Sequence, residues 1–147
     1  MIVVKMENKQ ELETPRELYD QACEMFKVKP VVDVAATREN TKCEIYFAKQ
    51  EDGLAQEWIH DSFLNPPYNN VKPWVKKAYE QNIKHNISVL ALLPVKTDTS
   101  WFHDYILGKS RIYFIRRRVR YCLNGIPTKD RVFFPSMWVL WEKRQDV

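Results

Sequence analysis

Four consecutive residues, Asn65-Pro66-Pro67-Tyr68, could carry out a chemistry that few other orders support. Two adjacent prolines remove two backbone donors and fix φ at both positions. The first also restricts Asn65 to extended geometry. The short apolar approach Ser62-Phe63-Leu64 reads as the end of a strand. The stiff loop thus falls at a strand's carboxyl end, where open α/β sheets place their ligands. There the side-chain amide oxygen of Asn65 and the carbonyl of Pro66 can aim at one point as paired acceptors. Two convergent acceptors suit a planar NH2 donor. Held by both hydrogens while an electrophile approaches, the nitrogen becomes pyramidal and offers its lone pair. Tyr68 can stack on the flat ring that bears the amine. The same residues could also form a plain surface corner. A polyproline ligand would need a spacer between Pro67 and Tyr68, and there is none.

Further candidates could hold a small molecule. Asp33 ends the apolar run Val31-Val32-Asp33-Val34 and is followed by Ala35-Ala36. A carboxylate there can hold a cationic group, and small residues let a ligand approach the backbone. The chain has 3 glycines and none follows this strand, so a Gly-rich dinucleotide fingerprint is absent. That argues against a nicotinamide or flavin enzyme. Thr14-Pro15 offers a hydroxyl at a helix start beside free backbone N–H groups, a setting suited to a carboxylate. Asp52-Gly53-Leu54 is first of all a turn signal, and Asn40 can be read as a helix or loop cap. Cys23, Cys43 and Cys122 are odd in number and lack zinc-ligand spacing, so buried free thiols are expected. His60, His85 and His103 form no pair at helical spacing, and no metal is expected.

These residues need elements to position them. Thr14 is a candidate cap for a helix with Pro15 at its first position. Leu18, Ala22, Met25 and Phe26 give that helix an apolar face ending near Lys27. Val31–Val34 and Ile45–Phe47 read as strands, and Phe63-Leu64 belongs to the next. Lys72–Lys84 has helical periodicity, and Ile87–Val95 is a nearly continuous apolar run, as in a parallel strand covered on both faces. Ser100–Leu107 is predicted helical, capped by Ser100 and stopped by Gly108. Arg111–Tyr121 and Met137–Trp141 are the last predicted strands. They are candidates for antiparallel pairing because no helix lies between them. The alternation implies an α/β fold with a mainly parallel sheet.

At 147 residues, 45% hydrophobic and 13% aromatic, the chain suits one packed domain over residues 1–147, with 1–11 a loose polar leader. It contains no apolar run near the ~20 residues of a membrane span and no signal-peptide pattern, so a soluble cytoplasmic protein is expected. Net charge is +4, but Lys109–Arg131 holds eight Lys/Arg and one acid, Asp130, leaving −3 for the rest. Such a segment is the footprint of a polyanion partner; a solvated face is the plainer reading. If Arg116-Arg117-Arg118-Val119-Arg120 is a strand, Arg116, Arg118 and Arg120 share one face about 7 Å apart, where backbone phosphates would answer them.

Taken together, these segments resemble the phage-type DNA N-6-adenine-methyltransferases, amino-methyltransferases that use S-adenosylmethionine (SAM) and carry an Asn/Asp-Pro-Pro-Tyr/Phe motif. The likeness runs from about Leu12 to Trp141. It includes Asp33-Val34-Ala35-Ala36, Glu39-Asn40-Thr41-Lys42-Cys43, Asp52-Gly53-Leu54, Trp74-Val75-Lys76-Lys77-Ala78 and Leu92-Leu93-Pro94. Further on it includes Thr97-Asp98-Thr99 and Trp101-Phe102-His103.

The resemblance implies a Rossmann-like SAM-dependent methyltransferase fold with an antiparallel C-terminal strand. It also implies a phage- or prophage-encoded enzyme that methylates a flipped-out adenine in double-stranded DNA. Asn65, Pro66, Pro67 and Tyr68 would be catalytic. Thr14, Pro15, Asp33, Ala35, Asn40, Asp52 and Leu54 would bind SAM, with Asp52 accepting from its adenine amine and Leu54 packing on that ring. Arg116, Arg118 and Arg120 would bind DNA. Only about nineteen residues separate Asp33 from Asp52, so the pocket is expected to be abbreviated, and Glu39, Glu44 and Glu51 remain alternatives for a ribose contact. Two other readings stay open. One is methylation of another NH2 group, in RNA or protein glutamine; the other is a DNA-binding accessory protein without catalysis.

Overall fold

The computed structural model describes residues 12–129 and 134–145; the leader assigned to 1–11, and Asp130 and Arg131 of the basic segment, lie outside them. Helix α1 (Arg16–Phe26) buries Tyr19, Ala22 and Phe26, one stripe at helical spacing. It stops at Lys27, whose φ of 57° lets Val28 N donate back to Cys23 O at 3.0 Å. The predicted Thr14 cap does not form. Pro15 occupies the cap position, no side chain caps the helix, and the Thr14 hydroxyl is buried without a hydrogen bond among the described residues.

Strands β1 (Val32–Asp33), β2 (Ile45–Tyr46), β3 (Ser62–Leu64) and β4 (Val89–Pro94) run parallel in the order β2-β1-β3-β4. No helix connects β1 to β2, in keeping with an Asp33–Asp52 interval too short for a full crossover helix and a strand. A single 3₁₀ turn, Gly53–Ala55, precedes β3. Helix α2 (Val71–His85) follows the proline loop and buries Val71, Trp74, Val75 and Ala78. Helix α3 (Ser100–Tyr105) is capped by Thr99 rather than Ser100, with Thr99 Oγ1 accepting from Phe102 N at 3.3 Å. After β5 (Arg111–Phe114) and a small hairpin of β6 (Cys122–Leu123) and β7 (Ile126–Pro127), the chain closes with β8 (Ser136–Trp141). Strand β8 inserts between β4 and β5, antiparallel to both.

Every residue of β4 and of β8 is buried, which explains their nearly continuous apolar sequences, broken only by Ser136 at the start of β8. The observed architecture is α/β with a mainly parallel mixed sheet. No helix among the described residues is long and apolar enough to cross a membrane.

The strand predicted over Arg111–Tyr121 is cut short. It ends at Phe114, and Arg117 adopts a φ of 71°, which breaks the alternation. Arg116, Arg118 and Arg120 are therefore exposed loop residues, not one face of a strand, while Val119 anchors the loop in the core.

Gly53 is fixed by a close approach. A Cβ built there would lie 2.0 Å from Val34 O and 2.9 Å from the Trp74 ring. Trp58 Nε1 also donates to Gly53 O at 2.9 Å, tying the turn to a fully buried indole. Gly53→Ala should cost about 2–3 kcal/mol, the upper range for overpacking a core, readable as a lowered denaturant midpoint at unchanged slope.

Candidate functional site

The order β2-β1-β3-β4 reverses direction at β1, so the chain diverges to opposite sides there. The crevice outside the carboxyl ends of β1 and β3 is where such sheets bind ligands. A cavity of about 820 Å³ occupies it, lined by Thr14, Asp33, Ala35, Asn40, Asp52 and Asn65 among others. That volume lies within the roughly 300–1,000 Å³ typical of small-molecule sites.

Three buried side-chain atoms lack any hydrogen bond among the described residues: Thr14 Oγ1, Asp33 Oδ1 and Asn65 Oδ1. All three residues line this one cavity. An unanswered buried polar atom costs about 1–3 kcal/mol, so three at one place form a site built for polar groups that the described residues do not supply.

Asp33 ends β1 at 2% exposure. Its Oδ2 accepts from Lys42 N at 2.9 Å, and Oδ1 is left over. Burial pushes its carboxyl up to about 7, opposed by the backbone N–H groups of Lys42 and Ala35. A cation beside Oδ1 would restore the charged form. Ala35 and Ala36 follow with side chains small enough to leave the crevice open. The Lys42 ammonium, half-buried nearby, is pushed down by burial and held up by Asp33.

Asn65 follows the last residue of β3. Its Nδ2 donates to Leu12 O at 3.0 Å. Because a carbonyl can only accept, this bond fixes the amide's orientation and leaves Oδ1 as a buried, unused acceptor. The Pro67 carbonyl accepts from Asn70 N at 3.1 Å, whereas no backbone donor among the described residues reaches the Pro66 carbonyl. Pro66 itself is buried outside the cavity lining, which Pro67 joins.

Tyr68 does not face this cavity. The residue is 6% exposed, and its ring sits edge-to-face with Tyr121 and Phe134, centroids 5.7 and 5.5 Å away. Its hydroxyl donates to Leu92 O at 3.2 Å and lies 2.9 Å from the Tyr121 hydroxyl, itself 3.0 Å from Ser136 Oγ. Burial pushes the Tyr68 phenol well above its ordinary value and that of Tyr121 up to about 12, so both stay neutral donors.

The remaining candidates divide. Asp52 lines the cavity, but its Oδ1 accepts from Leu54 N at 3.2 Å, so the turn reading of this dipeptide is realised. Leu54 and Pro15 do not line the cavity; Leu54 packs against the core instead. Asn40 closes a turn with Thr37, Thr37 N donating to its Oδ1 at 2.8 Å, and still reaches the cavity wall. Of the three candidate ribose acids, Glu39 lines the cavity and Glu44 and Glu51 do not. Cys23, Cys43 and Cys122 are free and half-buried rather than fully buried.

One wall escaped the sequence reading. Glu13 pairs in a bridge with Cys122, and its carboxylate accepts from Asn124 N at 3.1 Å and Gly125 N at 2.9 Å. The β6–β7 hairpin is thereby fastened beside Thr14, and Leu123 and Asn124 line the cavity. The dipeptide Asn124-Gly125, with φ of 52° and 77°, was the available signal, since such hairpin turns require two positive φ values.

The sequence model of the family described as DNA N-6-adenine-methyltransferase (Dam) matches residues 3–146. Among curated proteins, the chain is similar to a DNA N-6-adenine-methyltransferase of Haemophilus phage HP1 (strain HP1c1), 30% identical over 134 residues, which is 89% of this chain and 78% of that protein. It is also similar to a protein of the same description from Escherichia phage T1, 32% identical over 96 residues, 64% of this chain but 40% of that protein. With a family match along nearly its whole length, the chain belongs to the DNA N-6-adenine-methyltransferase family.

Proposed function

We propose that this DNA adenine methyltransferase takes its methyl group from SAM and acts on an adenine flipped out of double-stranded DNA. The observation that carries the reading is the convergence of Thr14 Oγ1, Asp33 Oδ1 and Asn65 Oδ1 on one cavity. The donor set fits SAM: a buried carboxylate for its cationic groups, a hydroxyl for its carboxylate, and Ala35 and Ala36 for close approach. When bound, SAM supplies an electrophilic methyl group. Asn65 Oδ1 and the Pro66 carbonyl would hold the two hydrogens of the adenine amine, so that its lone pair points at the methyl. Reaction then follows from alignment at near-attack distance. Asp52 and Asn40 complete the cofactor wall, while Pro15 and Leu54 would act from behind it, by fixing Thr14 and the Asp52 turn.

Stacking of the base on Tyr68 requires that Phe134 or Tyr121 give way, since both now pack against its ring. A flipped base also needs space left in its duplex to be held open, and exposed Arg116, Arg118 and Arg120 are suited to the flanking phosphates. The architecture is compatible with the Rossmann-like methyltransferase fold, in which β8 is the antiparallel C-terminal strand. Acting on phage or host DNA, the protein would work in the bacterial cytoplasm.

The test is to incubate the pure protein with methyl-labelled SAM and unmethylated DNA, then identify the modified nucleoside. Label in N6-methyladenine is expected. Label in RNA or protein alone would reassign the substrate.

A further inference from the structure

The segment around Lys96 and Trp101 takes no part in the chemistry described so far, yet it meets the loop that carries Asn65 and Tyr68. A second cavity, of about 240 Å³, lies between them, lined by Tyr68, Asn69, Asn70, Lys72, Lys96 and Trp101 among others. Asn69 and Asn70 line the large cavity as well, so the proline loop and its continuation form a wall shared by both.

Two lysines from different elements reach this small space. Lys72 belongs to the first turn of α2, and Lys96 to the loop between β4 and α3. No acidic residue among the described residues lines the cavity. Neither lysine forms an ion pair among the described residues, although Lys76, Lys77, Lys84 and Lys143 all do. Like charges brought together in a recess repel unless an anion answers them. The amides of Asn69 and Asn70 add neutral hydrogen-bonding groups, and Trp101, 7% exposed, gives the recess a rigid wall. Helix α2 begins here without a side-chain cap, so its positive end reinforces the same sign.

We propose that this cavity seats a backbone phosphate of the DNA strand that carries the target adenine. The inference rests on the reading of Asn65 as the adenine-binding acceptor. A base leaves the stack by rotating about its own backbone, so a base held at the Asn65 loop brings its flanking phosphodiesters to that loop's edge. Lys72 and Lys96 then fix the strand's position without reading its sequence. This contact is separate from the arginine loop, which follows β5 in the chain.

The test compares wild-type protein with the Lys72→Gln/Lys96→Gln double variant on one duplex at several salt concentrations. Both lysines are exposed, so folding should be retained, and Lys72→Arg/Lys96→Arg serves as a charge-preserving control. Loss of one phosphate contact should flatten the slope of log affinity against log salt by about 0.9. KM for DNA should rise at least five-fold, with the loss falling on KM rather than kcat, and the arginine variant should recover most of it. SAM affinity measured without DNA should stay within two-fold.

A second arm titrates inorganic phosphate alone. Lysine-dependent phosphate binding in a protein whose DNA slope is unaffected by the glutamines would make the occupant a free anion and overturn the proposal. So would an unchanged slope and KM in the glutamine variant while the wild type methylates DNA, which would leave the adenine reading standing. A wild type that transfers no methyl to DNA would remove that reading and this proposal together.

Discussion

Asn65→Ala is expected to lower methyl transfer to DNA by roughly 10²–10³-fold or more, the scale on which loss of one preorganised polar contact to a reacting group is felt. The reason lies in one orientation. Nδ2 is committed to Leu12 O, so Oδ1 is the atom that faces the substrate, buried and without another task. Alanine removes both bonds at once. The lost Leu12 contact loosens the segment leading to Thr14, so SAM affinity should fall, but only a few-fold, because Asp33 and the Ala35-Ala36 turn are untouched.

Asn65→Asp separates the two effects. It keeps an acceptor but sets a carboxylate oxygen against the Leu12 carbonyl, so turnover should be intermediate and should improve at lower pH, where a protonated oxygen can donate to Leu12 O. Single-turnover kinetics at saturating SAM would measure the chemical step directly. A near-normal rate in Asn65→Ala would sink the mechanism.

The sequence displayed the parts of the site that local chemistry determines. Asn65 and Asp33 are readable because Asp33 ends one apolar strand and Asn65 directly follows another, and a polar residue at that point has one place to go in a parallel sheet. Thr14 reads in sequence as a helix-start hydroxyl suited to a carboxylate, and what the structure changes is its capping role. Its hydroxyl was expected to cap α1, but Pro15 sets the helix start and leaves the hydroxyl idle in the cavity.

What sequence could not supply was long-range pairing. The Glu13–Cys122 bridge joins residues over a hundred positions apart, and nothing in either segment's pattern specifies the other. The Arg116–Arg120 run shows a different limit. As a strand the run would put Arg116, Arg118 and Arg120 on one face, yet Arg117 takes a positive φ, and the burial of Val119 fixes the loop's path more firmly than β propensity does. Tyr68 was legible as an aromatic beside the catalytic loop. Its packing against Tyr121 and Phe134 depends on residues at the opposite end of the chain.

Asp33→Asn should weaken SAM binding and, in the same molecule, stabilise the free protein at alkaline pH. In an unfolded chain an aspartate titrates near 3.9; in the fold, burial pushes Asp33 up to about 7. Between those values the native state holds a proton that the unfolded chain has released. The contribution of this group to stability is therefore complete below about 4 and is lost as pH rises through 7. Above 7 the native protein carries a buried carboxylate with one oxygen satisfied by Lys42 N and the other unanswered.

Asparagine removes the charge and keeps the shape, with its oxygen toward the Lys42 N–H. The variant should gain on the order of 1–3 kcal/mol over wild type at pH 8 and little at pH 4, where wild-type Asp33 is neutral in both states. Its amide nitrogen would then occupy the position of Oδ1, presenting a donor where a cationic ligand needs an acceptor. SAM affinity should fall by about 1–3 kcal/mol at pH 8, and the rise in wild-type affinity between pH 6 and 8 should disappear. Calorimetry at those two pH values, paired with denaturant unfolding of the free proteins, measures both halves. A variant that binds SAM as wild type does would move the cation's partner away from β1. A variant less stable than wild type at pH 8 would mean that the Asp33 charge is answered from within the fold rather than held ready for a ligand.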